Sequence, residues 1–135
     1  MAGRLSLDSL EHPVVLAPLG GGPSTPALAA AVSEAGGLGF LAAGYKSPDA
    51  VWDDIAALRA LTDRAFGVSV FTPPPPEGDQ EAVRAYAESL RGDAERLGAE
   101  LGTPLHDDDA WAAKLALIAE ERVPVVSFTF GCPAR

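Results

Sequence analysis

Three consecutive glycines, Gly20, Gly21 and Gly22, follow the apolar run Val14–Ala17 and Pro18. Glycine permits sharp turns and lets a backbone approach a ligand with no side chain between, so this loop is built to touch something. Thr25 is placed to cap a helix, and Pro26 has the fixed φ favoured at a first helical position. Leu28, Val32 and Ala35 follow at helical spacing, and Gly36-Gly37 ends the pattern. His106 precedes Asp107, Asp108 and Asp109, a grouping that brings a metal to mind. Three acids equally suit the positive end of a helix, and the stripe Trp111, Leu115, Ile118 behind them favours that reading. No metal site is expected. His12, in the lead-in before Pro13, reads as a surface residue. Cys132 is the one cysteine, which excludes an internal disulfide and a cysteine-only metal site. No histidine stands in a motif that pairs it with that thiol, so it carries no nucleophilic role.

The elements that must position these residues alternate. Val14–Ala17 is short, apolar and β-branched, as in a strand covered on both faces, and Pro18 stops its ladder. Leu38–Ala43 reads as a second strand. Ser47 and Pro48 begin a helix whose buried stripe is Val51, Ile55 and Leu58, with Trp52 packing beside it. Ala65–Phe71 makes a third strand, and Pro73–Pro76 a stiff polyproline-like exit. From Asp79 the residues Val83, Tyr86, Leu90, Leu97 and Leu101 keep helical spacing, weakened at Gly92 and Gly98. Val123–Phe130 is a fourth strand, with Pro124 tolerated near its start.

This βαβαβαβ order implies a parallel sheet with right-handed crossovers. A doubly wound sheet and the first half of a (β/α)8 barrel both fit. The dinucleotide fingerprint separates them. Gly20-x-Gly22 has Thr25 where a third glycine belongs, and Pro23 intrudes. Gly37-x-Gly39-x-x-Ala42 enters a strand instead of opening a helix. No acidic residue ends the second strand to hold a ribose hydroxyl, so a Rossmann site is disfavoured.

Composition narrows the partners. The chain of 135 residues is 47% apolar, which suits one globular domain. A net charge of −9 argues against nucleic acid and anionic membranes, both of which need clustered Lys and Arg. No apolar run approaches the ~20 residues of a membrane span, and the N-terminus has no signal-peptide pattern. A cytoplasmic location is the expectation.

Four stretches, PVVLAPLGGG, LAAAVSEAGGLGFLAAG, RALTDRAFGVSVF and PVVSFTFGCP, resemble in order the N-terminal half of the nitronate monooxygenase (2-nitropropane dioxygenase) family. The resemblance spans Pro13 to Pro133. It implies an α/β fold of the (β/α)8 TIM-barrel type, with residues 1–135 supplying about the first four β/α units of a single FMN-binding domain. It further implies an FMN-dependent oxidoreductase that oxidises alkyl nitronates with molecular oxygen. Related flavoproteins with similar motifs reduce quinones or enoyl thioesters, and a non-catalytic fragment or interaction module is a further alternative. By the same resemblance Ala17, Pro18 and Leu19 lie along the flavin ring, with leucine where methionine is usual. Ser69 stands where the family's asparagine bonds the flavin, and Gly131 allows close approach on the substrate side. Thr129 occupies a position that is histidine in some relatives. The resemblance puts the catalytic histidine and the phosphate loops after later strands, so no catalytic residue is expected among residues 1–135, and neither His12 nor His106 matches. The chain thus reads as truncated. An open half-barrel would leave apolar side chains and two strand edges uncovered, so the chain is expected to self-associate, to fold poorly or to depend on a complementary half.

Overall fold

The computed structural model describes residues 5–75 and 78–133. It divides into two units, one running to Pro73 and resuming at Asp109, the other Pro74–Asp108. Pro76, part of the expected polyproline exit, lies outside the described residues, as do Pro76's neighbour Glu77 and the terminal Arg135.

In the first unit local capping chemistry sets the helix starts. Thr25 accepts the Leu28 N–H and Pro26 opens α1, Pro26–Glu34, which Gly36 leaves in a left-handed conformation (φ 87°). Ser47 accepts from Ala50, and Pro48 opens α2, Pro48–Arg59. Strands β1, Gly39–Ala42, β2, Phe66–Phe71, and β3, Val125–Thr129, follow the expected positions within two residues at each end. Helix α5, Trp111–Glu120, precedes β3. All pairing is parallel and in chain order, β1-β2-β3. An in-order parallel sheet continues one wall of a sheet without reversing its strand order, the arrangement opposite to a doubly wound switch point.

The expected first strand, Val14–Ala17, is reduced to a single parallel bridge, Val15 to Leu38. Val14 and Val15 are 58% and 44% exposed, so the expectation of a strand covered on both faces is corrected. Pro13 and Pro18 bracket the segment and cannot donate to a ladder, which leaves room for only the pair of bonds around Val15. Leu16 alone packs against the core.

That core lies between the sheet and its helices. Val51, Ile55 and Leu58 of α2, Leu41 of β1, Val68 and Val70 of β2 and Ile118 of α5 are buried together. Each such side chain contributes on the order of 1.5–3 kcal/mol by leaving water. The buried face of α1 is not the expected Leu28, Val32, Ala35 stripe. Ala29, Ala30 and Ser33 are buried instead, while Leu28 is 40% exposed. A Cβ at Gly39 would overlap the backbone of Ala29, so α1 approaches β1 at backbone distance and only small side chains fit between. Trp52 stands half-exposed, its indole N–H donating to Glu121.

The second unit holds α3, Gln80–Ser89, capped by Asp79, and α4, Arg91–Leu97, ended by left-handed Gly98. The helical pattern breaks at Leu90 rather than at Gly92, and Leu101 falls beyond α4. Neither helix buries a residue. Arg91 hydrogen-bonds Glu88 and holds that carboxyl below its usual range, an exposed pair of little consequence for stability. Among the described residues no helix is long and apolar enough to cross a membrane.

Ser33 joins the pieces. Its hydroxyl accepts the Gly39 N–H at 3.0 Å and donates to the Ala65 carbonyl at 2.9 Å. Ser33→Ala leaves a buried amide and a carbonyl without that partner, and is expected to cost about 2 kcal/mol. Urea denaturation measures it, with an unchanged m-value.

Candidate functional site

Because the strands are parallel and sequential, their carboxyl ends share one edge of the sheet. In open and closed α/β sheets alike, this is the edge at which ligands bind. Side chains alternate across the sheet, and Leu41, Val68, Val70 and Val126 face the helices. Phe40 and Ala42, then Gly67, Ser69 and Phe71, then Val125, Ser127 and Thr129 therefore face the other way. The register sets Ala42 beside Ser69 and Ser69 beside Ser127, a row of small residues, with Thr129 beside Phe71 above it.

Ser69 is 3% exposed, and its carbonyl accepts the Ala43 N–H at 2.9 Å. Gly131 is exposed, and its carbonyl accepts from the Thr72 hydroxyl at 3.3 Å. A Cβ at Gly131 would meet the Thr72 methyl at 3.1 Å, so the close approach that this glycine permits is to its own chain's Thr72. Thr72 also donates its N–H to the Thr129 carbonyl at 2.8 Å, tying the ends of β2 and β3.

Ala17, Pro18 and Leu19 leave the Val15 bridge towards the same edge. Ser24, a residue without a role in the sequence reading, organises them. It is 2% exposed, accepts the Leu19 N–H at 2.6 Å and donates to the Ala17 carbonyl at 3.2 Å. The Leu19 amide is thus occupied within the loop, whereas the Leu19 side chain is 46% exposed. Gly21 and Gly22 take φ of 80° and 117°, and a Cβ on either would meet nothing within 4 Å. The glycines shape the turn and leave open space above it.

Three aromatic rings line the carboxyl edge, another feature not legible beforehand. Tyr45 meets Phe71 edge-on at 5.0 Å, and Phe71 meets Phe130 at 5.0 Å. Gly44 must be glycine here, since a Cβ would enter the Phe71 ring. Tyr45 and Phe130 both have left-handed backbones, φ 64° and 69°, in which a side chain is strained. The start of the sheet carries a different feature, a cleft lined by Arg59, Thr62, Arg64 and Arg122. Arg59 is already paired there with Glu121.

His12, His106 and Cys132 complete the candidates. His12 is exposed and donates its N–H to the Gly36 carbonyl. His106 lines a groove with Pro74, Pro75, Val83 and Leu105 inside the second unit. Cys132 is exposed and its thiol faces the Pro133 carbonyl at 3.8 Å. No group of three or more His, Cys, Asp or Glu side chains gathers among the described residues. Capping by the Asp107–Asp109 run takes an unexpected form. The N-cap of α5 is Ala110, which has no side-chain cap bond, and Asp109 turns to the Lys114 ammonium and the Tyr45 N–H instead. Both Asp109 and Ala110 are left-handed, which points the Asp109 carboxylate back towards β1.

With this geometry the chain is similar to solved α/β enzymes. A nitroalkane oxidase from Streptomyces ansochromogenes superposes with a TM-score of 0.83 at 52% identity, over 94% of this chain and 36% of that one. FabK from Thermotoga maritima superposes with a TM-score of 0.62 at 30% identity, over 93% of this chain and 30% of its own. The class is an α/β fold with a small parallel sheet. Residues 4–135 match the nitronate monooxygenase family, and the chain belongs to it. It is 39% identical over 134 residues to the nitronate monooxygenase of Paraburkholderia phytofirmans and 36% identical over 135 residues to that of Pseudomonas aeruginosa. In both cases 96% of this chain is covered, against 36% and 38% of the relative. The chain therefore spans little more than a third of the length of these relatives.

Ser24→Ala is expected to free the Ala17–Leu19 turn. Loss of a buried hydroxyl bonded at both ends should cost about 1–3 kcal/mol in chemical denaturation. Exchange of the Leu19 amide should quicken while that of Val68 follows only the change in global stability.

Proposed function

We propose that residues 1–135 form the N-terminal part of an FMN-binding (β/α)8 domain, and that the whole protein oxidises alkyl nitronates with molecular oxygen. One observation carries the reading. The in-order parallel strands bring Ala17–Leu19, Ser69 and Gly131 to the same edge, in a chain that belongs to the nitronate monooxygenase family. The nitroalkane oxidase likeness supports the same substrate class.

The residues present suit a flavin ring. Ala42, Ser69 and Ser127 are small side chains on the face away from the helices, Ala42 and Ser69 buried there and Ser127 half-buried. Pro18 and the exposed Leu19 side chain offer an apolar surface to a planar ring, and the Ser69 hydroxyl offers one polar contact to its edge. Asparagine would offer a donor and an acceptor together, so serine makes the weaker anchor. Gly131 keeps the substrate side free of a side chain. A flavin held by Ala17, Pro18, Leu19 and Ser69 would supply the redox chemistry between nitronate and oxygen. This chain's part is to bind and orient. No residue among those described is assigned as the base: a base must reach its proton within hydrogen-bond distance, His12 is bonded beside Gly36 before the first strand segment, and His106 does not match the family's histidine motif. The partners are a small nitronate and oxygen, in the cytoplasm. A second reading, the same scaffold acting on an enoyl or quinone substrate, rests on the sequence resemblance, and FabK shares the fold.

The exposed Val14, Val15, Leu19 and Phe130 support self-association of the chain. Size-exclusion chromatography with light scattering is expected to give a species larger than the 13.9 kDa monomer. A stable monomer would remove that part of the proposal.

Titration of the chain with FMN, followed by flavin fluorescence, tests the site. Saturable quenching is expected, weakened about tenfold in Leu19→Asp, which sets a charge against the ring. Oxygen uptake with an alkyl nitronate, compared with a quinone and an enoyl thioester, then separates the substrate readings. Absence of binding in a longer form that includes the family's later strands would contradict the flavin assignment.

A further inference from the structure

Lys114 is the largest fully buried side chain among the described residues, 1% exposed, on the core-facing side of α5. A lysine inside a domain must be neutralised by a partner or abandon its charge. Its ammonium lies 2.8 Å from Asp109 Oδ1 and makes no aligned hydrogen bond among the described residues, so charge attraction holds it there. The same Oδ1 accepts the Tyr45 N–H at 2.9 Å, across 64 residues of sequence. One carboxylate oxygen thus joins two turns. Both are left-handed at non-glycine residues, Tyr45 at φ 64° and Asp109 with Ala110 at 53° and 52°. Such conformations persist only where the surroundings hold them.

The held residue faces the candidate site. The Tyr45 ring stands edge-on to Phe71, and its nearest atoms lie 3.8 Å from where a Cβ on Gly20 would be. It therefore stands between the first glycine loop and the end of β2. We propose that Lys114 is a positioning residue of the carboxyl edge. By fixing Asp109 it holds the Tyr45 turn, and the Tyr45 ring in turn sets the separation of the Gly20 loop from Phe71. The flavin arm of the test below rests on the proposed function; the exchange arm does not.

Lys114→Met keeps the length of the side chain and removes its charge. Amide exchange of the full chain by NMR is expected to show the Tyr45 N–H exchanging at least about tenfold faster, with the Leu41 and Val68 amides unchanged. Unchanged Tyr45 exchange would overturn the proposal. Equal acceleration throughout the core would also overturn it, because the pair would then be only a stability element. If Lys114→Met does not fold, Lys114→Met with Asp109→Asn leaves no lone buried charge, and the same selective acceleration is expected.

FMN titrations supply the second arm. Lys114→Met and Tyr45→Ala are each expected to weaken FMN binding about tenfold, and together no more than either alone, since both act through one ring. Additive losses would overturn the route through Tyr45. If neither the unaltered chain nor a longer form with the family's later strands binds FMN, the proposed function fails at that point, and the exchange result alone decides the role of Lys114.

Discussion

The hydroxyl of Ser33 holds the starts of two strands at once. It accepts from Gly39 at the head of β1 and donates to Ala65 just before β2. The pairing of Gly39 with Phe66 follows, and with it every later pair along the ladder. A slip of one residue would turn each side chain to the opposite face. Ser69 would then point into the helices and Val68 onto the ligand face. The row Ala42, Ser69, Ser127 exists because α1 comes close enough for a serine to reach both strands. That approach in turn requires Gly39, whose missing Cβ makes way for Ala29.

Two kinds of contact therefore govern the carboxyl edge, and both are polar. Ser33 sets the register from below. Ser24 and the Asp109–Lys114 pair shape the loops above, where Ser24 closes the Ala17–Leu19 turn on itself and Asp109 holds Tyr45. Apolar burial stabilises the layer between sheet and helices but is indifferent to where a loop tip ends. Directional bonds from buried side chains remove that freedom, and a binding edge needs it removed.

What could be read from the sequence was local. Thr25 and Ser47 cap their helices because a cap involves only the next three residues. Strands β2 and β3 announced themselves by apolar, β-branched runs and β1 by an apolar run after Gly36-Gly37. The family resemblance, resting on four ordered motifs, agrees with the match over residues 4–135. What escaped was set by distant partners. Leu28 and Val32 have the right spacing for a core stripe, yet the helix sits so close to β1 that Ala29 and Ser33 take those places. Val14 and Val15 look like a buried strand but form only one bridge at the sheet's edge. Lys114 sits within the apolar pattern of α5 as if it were solvent-facing, and only its partner Asp109 explains its burial. The left-handed Tyr45 and Phe130, and the aromatic row they complete, have no signature in residue type. Nothing in residue type announced that the Leu19 amide, beside the residues the resemblance points to, would be bonded to Ser24.

The central claim is that the carboxyl edge of this sheet binds a flavin. The most direct test is to add FMN to the isotope-labelled chain and map the amide shifts. The account predicts changes gathered at Leu19, Gly20, Tyr45, Ser69, Thr72 and Gly131. Shifts gathered instead at the arginine cleft of Arg59, Arg64 and Arg122, at the amino ends of the strands, would contradict it.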